Sequence, residues 1–117
     1  MISAYNSALS ALQAFGTKIQ SNGNNIANAN TDGFKKTRVT MAEAMPFGVK
    51  AGVDRVATPG ASVYQETTEG FDLVELSNVE LGSEIPDMNL NSQFYKANLK
   101  TIETVNEMTG ALFHIKS

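Results

Sequence analysis

The chain reads as a mainly α protein: long N- and C-terminal helices pairing as a coiled coil, with a small β-rich or irregular insert between them. Three observations lead there. Apolar residues recur every seven positions through residues 2–29. A second run at helical spacing fills the C-terminal part, and between the two, glycine and proline punctuate short β-prone pieces. The corresponding segments are residues 1–33, 34–76 and 77–117.

In the first segment Tyr5, Leu12, Ile19 and Ile26 form one row, with Ala8 and Phe15 three residues after its first two members and Leu9 beside them. That is a narrow heptad seam rather than the broad stripe of a core-facing helix. At 1.5 Å per residue the helix is about 40 Å long. Only Lys18 and Asp32 are charged before Lys35, and the outer face carries Ser, Asn, Gln, Thr and Gly. A free surface helix alternates charges there; this face is built to touch protein. Asn22, Asn24, Asn25, Asn28 and Asn30, with Gly16 and Gly23, occupy the back half. At about 0.6 kcal/mol per Asn and about 1 per Gly they weaken an isolated helix by about 5 kcal/mol. Asn22-Gly23 is an alternative turn, but Ile26 keeps the seven-residue spacing and favours continuation. Amides offer donors and an acceptor without charge, so they suit contacts across a helix interface. The exit is a turn over Thr31, Asp32, Gly33 and Phe34. Gly33 supplies the left-handed residue, Asp32 a local acceptor and Phe34 an apolar contact that docks the turn.

The insert contains TRVTM, GVDRV, ASVYQ and FDLVEL between turn residues, which predicts a small hairpin or a few short strands. Met41–Phe47 reads as a helical turn or a loop with apolar anchors. In the last segment Ser77 and Glu80 form a capping box before an apolar-periodic run. Leu81, Ile85, Met88, Tyr95, Leu99, Ile102, Val105, Met108, Leu112 and Ile115 follow. Gly82 and Pro86 predict a kink, or a short helix before a main one from about Asp87 to Phe113. Two helices enclose no core alone, so partners in other chains are expected beyond a monomeric helical hairpin.

Catalysis finds no support. Cysteine is absent, His114 is the only histidine, and Glu80, Glu84, Asp87, Glu103 and Glu107 read as solvated helix-face charges. GVKAG and TPGAS lack the Lys-Ser/Thr of a phosphate loop. No catalytic, metal or cofactor site is expected, nor a small-molecule substrate. A net charge of −3 offers no basic face for nucleic acid. No apolar run spans a bilayer, and the first residues lack the basic region of a cleaved signal.

The stretch Asn24–Lys35, NNIANANTDGFK, resembles the N-N-I/L-A-N-x-x-T-x-G-[FY]-K pattern of the bacterial flagellar rod and hook axial proteins. At the other end SNVEL (Ser77–Leu81) and FYKANLKTIETVNEM (Phe94–Met108) resemble that family's C-terminal opening and helix. The middle is far shorter than in hook or distal-rod proteins and is most like a short basal-body rod protein, whereas Pro86 and Gly82 depart from the family pattern.

The resemblance implies a structural rod subunit polymerising through its terminal helices into a helical tube that transmits torque and encloses the export channel. It implies as partners other copies of the chain, other rod and hook axial proteins and the flagellar type III export apparatus. It also implies a place in the periplasm-spanning rod of the basal body, reached without a cleaved signal. Packing residues expected on that reading are Leu9, Leu12, Phe15, Ile19 and Ile26 against Leu99, Ile102, Val105, Met108 and Leu112. Asn24, Asn25, Asn28 and Asn98 are candidates for amide contacts between or within subunits. The alternative is a soluble helical binding module such as a flagellar export chaperone or adaptor.

Overall fold

The computed structural model describes residues 2–116; Met1 and Ser117, the outermost residues of the two terminal segments, lie outside them. In chain order the elements are α1 (Ile2–Ala27), β1 (Thr37–Glu43), β2 (Val49–Arg55), β3 (Ser62–Thr67), β4 (Gly70–Glu75) and α2 (Leu81–Lys116). The helices run antiparallel: Asn22 meets Asp87, Phe15 meets Phe94, and Tyr5 shares a cleft with Val105. The molecule measures 80 × 24 × 20 Å. With 36 residues against 26, α2 runs about 15 Å longer than α1 at 1.5 Å per residue.

The first helix continues through Asn22-Gly23 to Ala27, as the spacing of Ile26 predicts. It uses two faces. One, from Tyr5 through Phe15 to Asn22, meets α2. The second is a stripe of small residues, Ser7, Ser10, Ala14, Thr17 and Ser21, at alternating three- and four-residue steps. Along this stripe lies the antiparallel β1–β2 hairpin, paired from Thr37↔Arg55 to Glu43↔Val49. Ser10 Oγ donates to the Ser7 carbonyl at 2.8 Å and accepts the Val49 N–H at 3.1 Å. Ser21 Oγ donates to the Thr37 carbonyl at 3.2 Å. Small side chains let the hairpin approach, and the turn uses Gly48, at φ 95°, where an added Cβ would sit 2.2 Å from Ser10 Oγ. Part of the uncharged outer face therefore serves the chain's own insert. Gln13, Gln20 and Asn24 stay exposed.

Met41–Phe47 is neither a helical turn nor an apolar anchor. Strand β1 runs through Glu43, and Met45 and Phe47 point into solvent. The second hairpin, β3–β4, pairs from Ser62↔Glu75 to Thr67↔Gly70 as a separate two-stranded sheet. Among the described residues its strands pack against no other helix or strand.

The capping box does not form. Asn78 is engaged elsewhere: its Oδ1 accepts the Lys36 N–H at 2.7 Å and its Nδ2 donates to the Val56 and Thr58 carbonyls, both at 2.9 Å. Ser77 Oγ accepts the Val79 N–H in a tight turn, and the helix begins at Leu81 under the Glu80 carbonyl, which takes the Ser83 and Glu84 N–H groups. Nor does Pro86 break the helix, which is continuous from Leu81 to Lys116. Near the start proline forfeits one backbone bond, and the carbonyl its ring crowds belongs to Gly82, the residue with most backbone latitude.

Candidate functional site

The most buried side chains are two alanines, Ala8 and Ala14, and three asparagines, Asn22, Asn25 and Asn91. The asparagines lie where α1, α2 and the start of β1 meet. Asn25, 1% exposed, closes on Thr37 from both sides: its Oδ1 accepts the Thr37 N–H at 3.0 Å and its Nδ2 donates to the Thr37 carbonyl at 2.9 Å. The same Nδ2 reaches Glu84 Oε1 at 3.1 Å. Asn22 Nδ2 donates to Glu84 Oε2 at 2.8 Å and to Asp87 Oδ2 at 3.0 Å, while its Oδ1 accepts from Asn91 Nδ2 at 2.8 Å. Asn91 also donates to Asp87 at 3.1 Å. Among the described residues no buried side-chain polar atom lacks a partner, which is what burying such groups requires.

Glu84 and Asp87 are therefore not mere solvated charges; their carboxylates accept from the buried amides. Carboxylates suit this site because an amide Nδ2 has two protons to give, and a charged acceptor strengthens each bond. An open cleft of about 310 Å³ beside the cluster is lined by Lys18, Lys36 and Arg38 together with Glu84 and Asp87. Among the described residues no three His, Cys, Asp or Glu side chains converge as metal ligands.

The other predicted amides act locally. Asn28 Nδ2 donates to the Asn24 carbonyl at 2.9 Å, and Thr31 Oγ1 donates to Asn28 Oδ1 at 3.1 Å, so Asn24, Asn28 and Thr31 close the orphan end of α1. Asn98 bonds the Phe94 carbonyl of its own helix. Gly33 takes φ 71°, donates its N–H to the Glu75 carbonyl at 2.8 Å, and so ties the turn to the end of β4. Phe34 is half-buried and its carbonyl accepts the Asn78 N–H at 3.3 Å, while Asp32 is exposed. Lys35 pairs with Glu75. That ammonium, and then the Gly60 N–H, hold the Glu75 carboxyl below its ordinary value.

Of the predicted packing residues, Leu12, Phe15, Ile19, Ile26, Ile102 and Val105 are half-buried. The Phe15 and Phe94 rings stack at 5.2 Å and 27°. Leu9, Leu99, Met108 and Leu112 are 39%, 46%, 52% and 49% exposed. On α2 the covered positions are Glu84, Asn91, Ser92, Tyr95, Asn98, Ile102, Val105, Thr109 and Gly110, and Leu99, Met108 and Leu112 are not among them. Sequence reasoning misses Asn91 and the contacts of Asn78, and reads Glu84 and Asp87 only as solvated charges. For Asn22 there was a signal: it continues the seven-residue row of Ala8 and Phe15.

Comparison with known proteins fits this arrangement. Residues 6–35, covering most of α1 and its exit turn, match the family model described as flagella basal body rod protein. Residues 72–113, covering the end of β4 and nearly all of α2, match that of the flagellar basal body rod FlgEFG protein C-terminal region. The flagellar basal-body rod protein FlgG of Bacillus subtilis (strain 168) is 40% identical over 62 residues, 53% of this chain. The chain spans 24% of that relative's length. Both models describe structural proteins of the flagellum rather than enzymes, and each falls on one of the two antiparallel helices; the chain belongs to the flagellar basal-body rod protein family.

Proposed function

We propose that the chain is a rod subunit that polymerises through α1 and α2, paired as a coiled coil, into a helical tube that transmits torque and encloses the export channel. One observation carries this reading. The helix pair buries little but alanines and amides, while Leu9, Leu81, Ile85, Leu99, Met108 and Leu112 remain 39–52% exposed. Apolar side chains left over on a two-helix hairpin call for further helices, and neighbouring subunits supply them. On this reading Leu12, Phe15, Ile19, Ile26, Ile102 and Val105 hold the pair together, and Leu9, Leu99, Met108 and Leu112 meet neighbours. The partners are other copies and other rod and hook axial proteins, with delivery by the flagellar type III export apparatus. Isolated basal bodies test it: the chain is expected there as a stoichiometric component, and its absence overturns the reading. A second measurement is the helicity of dilute purified chain, which falls short of the helical spans if neighbours order them. A cooperatively melting, fully helical monomer argues against assembly through these helices.

A further inference from the structure

The cations of the insert gather at one end, with Glu43 and Asp54 among them. Lys35, Lys36, Arg38, Lys50 and Arg55 all fall within residues 35–55, and no lysine or arginine occurs between Arg55 and Lys96. The β3–β4 hairpin carries Glu66, Glu69, Asp72 and Glu75, of which only Glu75 is in an ion pair among the described residues. One face of this hairpin is apolar. Tyr64 stands opposite Leu73 and Glu66 opposite Phe71, which puts the three large side chains and Glu66 on one side. Tyr64, Phe71 and Leu73 are 75%, 73% and 60% exposed. A lone two-stranded hairpin is marginal in water, yet among the described residues this one meets no other helix or strand.

The outer face of β1–β2 carries two cations, Arg38 and Lys50, and one carboxylate, Asp54 opposite Arg38. Arg38, Thr40 and Ala42 stand opposite Asp54, Gly52 and Lys50, and all six are exposed. Between Arg38 and Lys50 lies a floor of Thr40, Ala42 and Gly52, flat enough to take large side chains. The two cations are in no ion pair among the described residues.

We infer that the apolar, acidic face of β3–β4 docks on the outer face of β1–β2 in a second copy of this chain. Tyr64, Phe71 and Leu73 lie on the small-residue floor, and Glu66, with Glu69 at the turn, meets Arg38 and Lys50. This surface lies outside the helices and rests on the rod reading only for its occupant.

Sedimentation equilibrium of the full chain between about 50 and about 500 mM NaCl tests it, because these ionic strengths take the screening length from beyond to within contact range. Association is expected to weaken at least about tenfold across that range, whereas apolar contacts between helices do not weaken with salt. Glu66→Lys/Glu69→Lys and Arg38→Glu/Lys50→Glu are each expected to lose the salt-sensitive association, and an equimolar mixture to regain it. The residues changed are exposed, and matching far-UV spectra show that the helices persist. Should either charge variant fail to fold, Phe71→Ser serves instead, with association expected to fall at low salt. Salt-insensitive association, a mixture as weak as its components, or Phe71→Ser associating like the parent chain overturns the inference. Absence from basal bodies overturns the rod reading and leaves this measurement standing.

Discussion

Replacing Asn25 with alanine tests whether the amide cluster holds the insert to the helix pair. The change strips the Thr37 N–H and carbonyl of their partner and removes one donor from Glu84. Each backbone bond is worth about 1 kcal/mol net and the charge-assisted one about 1.5 at this half-exposed carboxylate. Alanine returns about 0.6 kcal/mol through helix propensity. The expected loss is therefore about 3 kcal/mol. The assay is a urea titration followed at 222 nm, begun in trimethylamine N-oxide, an excluded osmolyte that favours burial, so that a thin-cored chain starts folded. With a slope of about 1.5 kcal/mol per molar urea the midpoint falls by about 2 M. Asn25→Asp keeps the shape but turns a donor into a carboxylate facing the Thr37 carbonyl and Glu84, and should lose at least as much. Asn24→Ala, at an exposed site, should be neutral or gain about 0.5 kcal/mol. Equal midpoints for the Asn25→Ala and Asn24→Ala chains would refute the reasoning.

Four other outcomes are expected. Gly48→Ala should cost about 2 kcal/mol or more in the same titration, because it adds left-handed strain to an overlap with Ser10; an unchanged midpoint would show that the hairpin turn does not rest on α1. Gly23→Ala, whose Cβ would meet nothing within 4 Å, should stabilise α1 by about 1 kcal/mol; if helicity rises but assembly fails, Gly23 faces a neighbour. The Glu75 carboxyl is held low by Lys35 and the Gly60 N–H, so the stability it contributes is present above the ordinary carboxylate pKa and lost as pH falls through the lower folded value. Protection of the Gly60 amide against exchange should accordingly fall as pH drops below the ordinary carboxylate range, and Glu75→Gln should abolish that dependence. Leu12→Asp and Ile102→Asp, each at a half-buried position, should abolish motility and assembly while export persists, and normal swimming in both would place the interface elsewhere.

The helices and strands were legible because each follows a local rule: heptad spacing for α1, glycine-bounded β-prone runs for the hairpins, helical spacing for α2. Local rules also misled. Ser77 and Glu80 have the spacing of a capping box, but Asn78 between them is drawn to Lys36, Val56 and Thr58, and the start moves to Leu81. Glu84 and Asp87 have the composition of a solvated face, and only the antiparallel approach of α1 brings buried amides onto them. Leu99, Met108 and Leu112 are helically spaced yet lie outside the covered positions, because an apolar period does not say which of two faces meets the partner helix. The stripe of Ser7, Ser10 and Ala14 was invisible as a hairpin seat, since small residues announce close approach without naming what approaches.

The position of the amide cluster gives the helix pair two mechanically different ends. Directional bonds tolerate little slip, so Asn22, Asn25 and Asn91 lock the registry of α1 against α2 beside the insert. Toward Tyr5 and Val105 the contact is thin and apolar, and such surfaces slide or splay at small cost. Shear along the pair is thus resisted at one end, while the other is free to adjust its angle to whatever helix lies beside it.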